Sequence, residues 1–143
     1  MQKTQEFHDQ PTQEFLETVL PRVLEADTAL HNGDPRGRIA LWSRTEPLTV
    51  FGALLTARGW GQIRLAFEQL GERFSQCTSA ENEVIAAGTS GDLGYTVAFE
   101  HTSTSINGSP RSYTLRVTTI FRREQGTWKA VHRHADEVRQ DPS

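Results

Sequence analysis

An α+β fold, a curved antiparallel sheet with helices gathered on one side, is predicted by three features of the chain. Apolar residues recur at helical spacing up to about residue 77. From Glu81 onward the apolar period becomes two, the repeat of a strand. Turn signals then cut that second stretch into hairpins: Ser90-Gly91-Asp92, Asn107-Gly108 and Gln125-Gly126. Helices first and hairpins afterwards is the α+β plan.

Residues 1–11 read as a polar tail ending at Pro11, residues 12–138 as one domain and residues 139–143 as a second tail. Thr12 is placed to cap a helix whose stripe carries Phe15, Leu16, Val19, Leu20, Val23, Leu24 and Leu30. Pro21 predicts a kink, or a fresh start after a break near Leu20. Asn32-Gly33 ends the helix, and Asp34-Pro35 opens a short one over roughly 35–43. Leu48–Phe51 reads as a short strand. The stretch from Gly52 to Gly61 reads as an irregular apolar flap. Ile63, Phe67, Leu70 and Phe74 mark an amphipathic helix from Gly61 to Cys77. The strands that follow are 83–89, 94–104, 112–123 and 127–136.

Composition limits the function classes. A chain of 143 residues, 36% hydrophobic and 23% charged, has the make-up of a globular domain with a real core. A net charge of −3 and scattered arginines give no footprint for nucleic acid or an anionic membrane. The single cysteine, Cys77, fits a reducing cytoplasm, and the polar N-terminus lacks the apolar core of a signal peptide. No phosphate-binding glycine loop, nucleophile elbow or zinc-type cysteine pair is present, and no cofactor or metal is expected.

Two-residue turns set a trial register. Pairing from Gln125-Gly126 places Ala130 opposite Phe121, His132 opposite Thr119 and His134 opposite Val117. Pairing from Asn107-Gly108 places Leu115 opposite Glu100. One face then carries Glu100, Thr119, His132 and His134 among apolar residues, the pattern of a ligand pocket under helices. The other carries Phe99, Arg116, Ile120, Val131 and Arg133 and is expected to meet a second copy of the chain. A bulge at either turn would exchange the faces.

Several segments together resemble the ketosteroid-isomerase-like, or SnoaL-like, superfamily, whose fold is that of nuclear transport factor two. They are Ala29-Leu30-His31-Asn32-Gly33-Asp34, Ile39-Ala40-Leu41-Trp42, Leu48-Thr49-Val50-Phe51-Gly52 and Arg58-Gly59 ahead of Phe67. Leu115-Arg116-Val117-Thr118, Phe121-Arg122-Arg123 and Trp128 to His134 are similar to the closing hairpin of bacterial members. The Trp-to-His-x-His strand also resembles one in the association domain of calmodulin-dependent kinase. The resemblance spans roughly 12–138 and implies a cystatin-like cone: three N-terminal helices over the concave face of a sheet of about four to six strands. It implies a pocket for a small organic molecule without fixing its chemistry. The isomerases of the superfamily carry an aspartate base just after the first strand and a tyrosine on the first helix. Gly52 and Ala26 stand at those places here.

His132 and His134 are therefore the candidate acid/base groups, with Glu100 to orient them, in isomerase- or lyase-like chemistry. Whether the chain is an enzyme stays open at this level. Hydrogen-bonded wall histidines are the plainer alternative, and a His-x-His set with Glu100 as a metal site is the weakest one. Trp42, Phe51, Trp60, Phe67 and Thr119 are the expected pocket wall, with core filling as the alternative for the tryptophans. Glu100 paired to an arginine such as Arg111, and Asp27 as a surface acid, are the blander readings of those carboxylates. The alternative to a pocket protein is a non-catalytic, dimerising sensing or assembly domain.

Overall fold

The computed structural model describes residues 2–4 and 9–139. Its elements run β1 (Gln2–Thr4), α1 (Gln10–Leu30), α2 (Arg36–Leu41), β2 (Thr49–Phe51), β3 (Thr56–Arg58), α3 (Trp60–Arg73), β4 (Phe74–Ser90), β5 (Leu93–Ile106), β6 (Ser109–Glu124) and β7 (Thr127–Glu137). The seven strands form one sheet in the order β1-β4-β5-β6-β7-β2-β3. β1–β4 and β2–β7 are parallel pairs and the rest are antiparallel. Three helices cover one side of this curved sheet, as the order of the sequence pattern predicts. No helix among the described residues is long and apolar enough to cross a membrane.

Local chemistry moves several boundaries. The first helix starts before Thr12, because the Asp9 carboxylate accepts the Thr12 N–H at 3.3 Å and Pro11 fits the first turn. The expected tail thus contributes to the fold in part: Gln2–Thr4 pair with Asn82–Val84, and Gln10 and Pro11 are helical. Met1 and residues 5–8 and 140–143 lie outside the described residues. Pro21 does not split α1. It sits on the exposed face, where the carbonyl it leaves unbonded can reach water.

The expected flap after β2 is a hairpin instead, with Thr49 opposite Arg58 and Phe51 opposite Thr56. α3 starts after Gly59, whose φ is +81°, and the Glu46 carboxylate accepts the Trp60 N–H at 2.8 Å. The helix ends at Arg73, short of Cys77. Phe74 keeps its place in the apolar pattern but is already extended and pairs with Ile106.

The core lies between α1, α3 and the sheet. Phe15 meets Phe121 edge-on at 5.4 Å and Trp128 at 4.8 Å, and Trp42 meets Phe67 at 5.6 Å. Burying each such ring contributes about 1.5–3 kcal/mol. Phe15 passes directly over Gly94 of β5, where a Cβ would lie 3.0 Å from its ring.

The register of β5 on β6 is the predicted one, with Leu115 opposite Glu100. That of β6 on β7 is correct only as far as Phe121 and Ala130. There the ladder slips by one residue, so His132 faces Ile120 and His134 faces Thr118. Val131 is the extra residue of a bulge and packs into the core at 8% exposure. From that point the parity of β7 is inverted.

The contrast between two glycines tests this packing. Gly94→Ala should destabilise the protein by about 1–3 kcal/mol in urea unfolding, because the buried Phe15 ring has nowhere to move. Gly88→Ala should cost less, although its Cβ would approach Tyr95 more closely, because Tyr95 is 44% exposed and can swing aside.

Candidate functional site

The bulge decides which side chains enter the cone. It turns Arg133 inward and His132 and His134 outward, the reverse of the expected faces. Arg133 meets Glu100 of β5 through two parallel hydrogen bonds, Nη1 to Oε2 at 2.9 Å and Nη2 to Oε1 at 2.8 Å. Both side chains are about nine-tenths buried. On the helical side, Arg38 of α2 donates to the Asp27 carboxylate of α1, and this pair is as deeply buried. Asp27 is therefore an interior acid rather than a surface one, and Glu100 takes Arg133 rather than Arg111 as its partner.

His31, at the end of α1, links these pairs to β6. Its Nδ1 lies 2.6 Å from the Asp27 carbonyl oxygen, which can only accept, so Nδ1 carries the proton. Burial pulls the imidazole below its ordinary value and keeps it neutral. Its Nε2 is then an acceptor, and the Tyr113 hydroxyl, 2.7 Å away, donates to it. Burial, then the charges of Glu100 and Asp27, push the Tyr113 phenol well above its usual range, so it stays protonated.

The two carboxylates respond in opposite directions. Burial alone would raise Glu100. The adjacent Arg133 charge and its hydrogen bonds outweigh that and hold the carboxyl at about 2. Burial raises Asp27, and the charge of Glu100 adds to the rise against the pull of Arg38. Glu100 is accordingly a poor proton acceptor near neutrality.

A cavity of about 70 Å³ opens beside this set. By the same measure one water needs about 10–15 Å³, so the cavity holds about five waters or a small organic group. Leu30, Val50, Leu55, Phe67, Leu70 and Phe74 give it apolar walls, and Arg38, Arg133, His31 and Tyr113 form its polar end. Arg111 and Glu137 stand paired and half-exposed on its lining.

The sequence-predicted residues separate accordingly. Phe67 lines the cavity, as does Gly52, where the isomerases carry their base. Glu100 and Thr119 line a smaller void of about 20 Å³ beside Val117. Trp42 is core, at 1% exposure. Trp60 stacks under Arg44, whose guanidinium lies 3.7 Å from its ring centre. Phe51 is on the outer face, 5.6 Å from both His132 and His134. His132 shares a 2.7 Å hydrogen bond with Thr49 and is shifted down by burial and then by His134. The His-x-His pair and Glu100 stand on opposite faces, so no joint site forms from them. Among the described residues no group of three potential metal-binding side chains is assembled.

Arg38, Tyr113 and His31 were not singled out from the sequence as site residues. Their only signal was type: polar residues on elements otherwise reading as core-facing. Simple alternation places Arg133 on the outer face, and the slip at Val131 turns it inward.

Residues 23–136 match the SnoaL-like domain, and the chain belongs to that family. Its fold is similar to a nuclear transport factor 2-like superfamily protein from Salmonella enterica, at 20% identity over 90% of this chain and 91% of that one, with a TM-score of 0.71. A ketosteroid isomerase-like protein from Erwinia carotovora atroseptica matches at 14% identity over 89% and 98%, TM-score 0.71. A protein with a cystatin-like fold from Caulobacter vibrioides matches at 18% identity over 88% and 91%, TM-score 0.65. Among curated proteins none matches.

The Glu100–Arg133 pair has a pH signature. An unfolded glutamate titrates at about 4.3. The folded value is lower, so the pair's contribution is present above about pH 4.3 and is lost as the pH falls towards about 2. Glu100→Gln leaves Arg133 buried without its counter-charge and should cost about 3–5 kcal/mol at pH 7. The stability gap between wild type and variant, read by urea unfolding, should narrow through that acid window.

Proposed function

We propose that this protein binds a small, largely apolar organic molecule in its cone. The observation that carries the reading is the cavity itself, apolar along its walls and lined at one end by Arg38, Arg133, His31 and Tyr113. The elements around it come from both layers of the fold, so it is a pocket of the domain rather than a gap under one loop. Binding is favoured over acid/base catalysis on chemical grounds. Glu100 is held ionised by Arg133, and both nitrogens of His31 are already engaged. An isomerase-like step would need a free base aimed into the cavity. The lone, half-buried Cys77 supports a cytoplasmic setting.

Indole serves as a small uncharged probe. Titrated into labelled protein, it should move NMR signals of Leu30, Phe67 and Tyr113 and leave those of His132 and His134 in place. Leu115→Trp, which fills the cavity, should weaken the uptake at least about tenfold with the fold retained. Shifts confined to the outer face would defeat the reading.

The outer sheet face supports a companion proposal, association with a second copy of the chain. Tyr95 and Phe51 are 44% and 42% exposed there, beside partly buried Val97, Phe99 and Ile120. Arg116 is already paired with Asp136, so a second copy would meet an apolar strip with its charge balanced. Val131 lies in the core and is removed from the expected contact set. Phe99→Glu should convert a dimer to a monomer in light scattering, and a wild-type monomer at about 100 µM would refute the association.

A further inference from the structure

The polar end of the cavity holds more hydrogen-bond donors than the protein uses. A guanidinium carries five N–H groups in a planar fork. Arg38, with a side chain 6% exposed, bonds Asp27 through Nη2 alone, and no further acceptor meets it among the described residues. The Phe67 ring lies 5.4 Å from that guanidinium and offers no strong acceptor. Arg133 uses Nη1 and Nη2 once each, both on Glu100. Native interiors seldom leave such donors unmatched.

The direction of the surplus is also fixed. Both arginines line the cavity, while the carboxylates that pair with them do not. The Tyr113 hydroxyl is committed to His31, and the His31 N–H to the Asp27 carbonyl. What the buried part of the cavity offers an entering molecule is therefore guanidinium N–H from Arg38 and Arg133, with hydrocarbon beyond and the mutually paired Arg111 and Glu137 at its half-exposed part.

We infer that the ligand of this pocket carries a carboxylate, seated against Arg38 and Arg133, with its apolar body along Leu55, Phe67 and Leu70. This rests on the reading of the cone as a small-molecule site. A carboxylate fits better than a carbonyl or hydroxyl. Its two oxygens lie in one plane and accept about four hydrogen bonds, which matches donors from two separate guanidiniums. A single carbonyl oxygen accepts about two and would leave part of the surplus unmet.

Hexanoate, hexanamide and 1-hexanol share one chain and differ only at the head. NMR titration of the full-length protein should show hexanoate binding in the cavity at least about tenfold more tightly than either neutral analogue. Arg38→Lys keeps a cation beside Asp27 but loses the fork, and should weaken hexanoate about tenfold while leaving 1-hexanol unchanged. Arg64→Gln, at the exposed Arg64–Glu68 pair of α3 and away from the cavity lining, should leave hexanoate within about twofold. Equal affinity for hexanamide or 1-hexanol would overturn the carboxylate and leave the pocket reading standing. Loss of hexanoate in Arg64→Gln but not in Arg38→Lys would overturn the placement. If none of the three binds while indole still does, the carboxylate inference fails alone. If indole fails as well, both readings fall.

Discussion

The interior of this cone depends on a two-point contact between Arg133 and Glu100. Two charges taken out of water are tolerated only when each finds the other in good geometry. Here the geometry is supplied by neighbouring elements: β5 presents the carboxylate, β6 sets the spacing, and β7 delivers the guanidinium one residue out of step with simple alternation. Without the bulge at Val131, the inward position would fall to His132 and Arg133 would point to solvent. The slip in the ladder is thus the feature that brings a guanidinium to the inner face and onto the cavity lining.

Around that contact the site is built in pairs that each span two elements. Asp27 and Arg38 join α1 to α2, and His31 joins α1 to Tyr113 of β6. The charges balance within the two ion pairs, which lets four charged side chains sit in a mostly apolar cone. The balance is uneven in its response, with Glu100 held down by Arg133 and Asp27 pushed up by burial. The cavity sees mainly the cationic sides of these pairs. A family fold whose members differ widely in use is given its particular character here by where four polar side chains point.

The two ends of α1 divide the work. Phe15, Phe121 and Trp128 pack as a ring cluster at one end of α1. Leu30 and His31, at the other end of the same helix, reach the cavity. One continuous helix, unbroken by its exposed Pro21, therefore ties packing to site.

Much of the architecture was legible in the residues themselves. The shift of apolar period near Glu81, the glycine turns and the segments shared with the SnoaL-like family determined the α+β plan, the three helices and the hairpin order. The missing groups at Gly52 and Ala26 were equally plain, because a residue type can be read without a structure. Strand length, the β2–β3 hairpin and the start of the first helix were less so, since backbone pairing partners distant in sequence, or a cap two residues upstream of Pro11, decide them. The site was decided by tertiary structure. A period of two carries no mark of where a ladder slips, and one extra residue exchanges the faces of everything beyond it. His132 and His134 had the chemistry to suggest a site, and the slip set them on the face opposite Glu100. Arg133 gained one by the same slip, while Asp27 and Arg38 became interior only once α1 and α2 packed against the sheet.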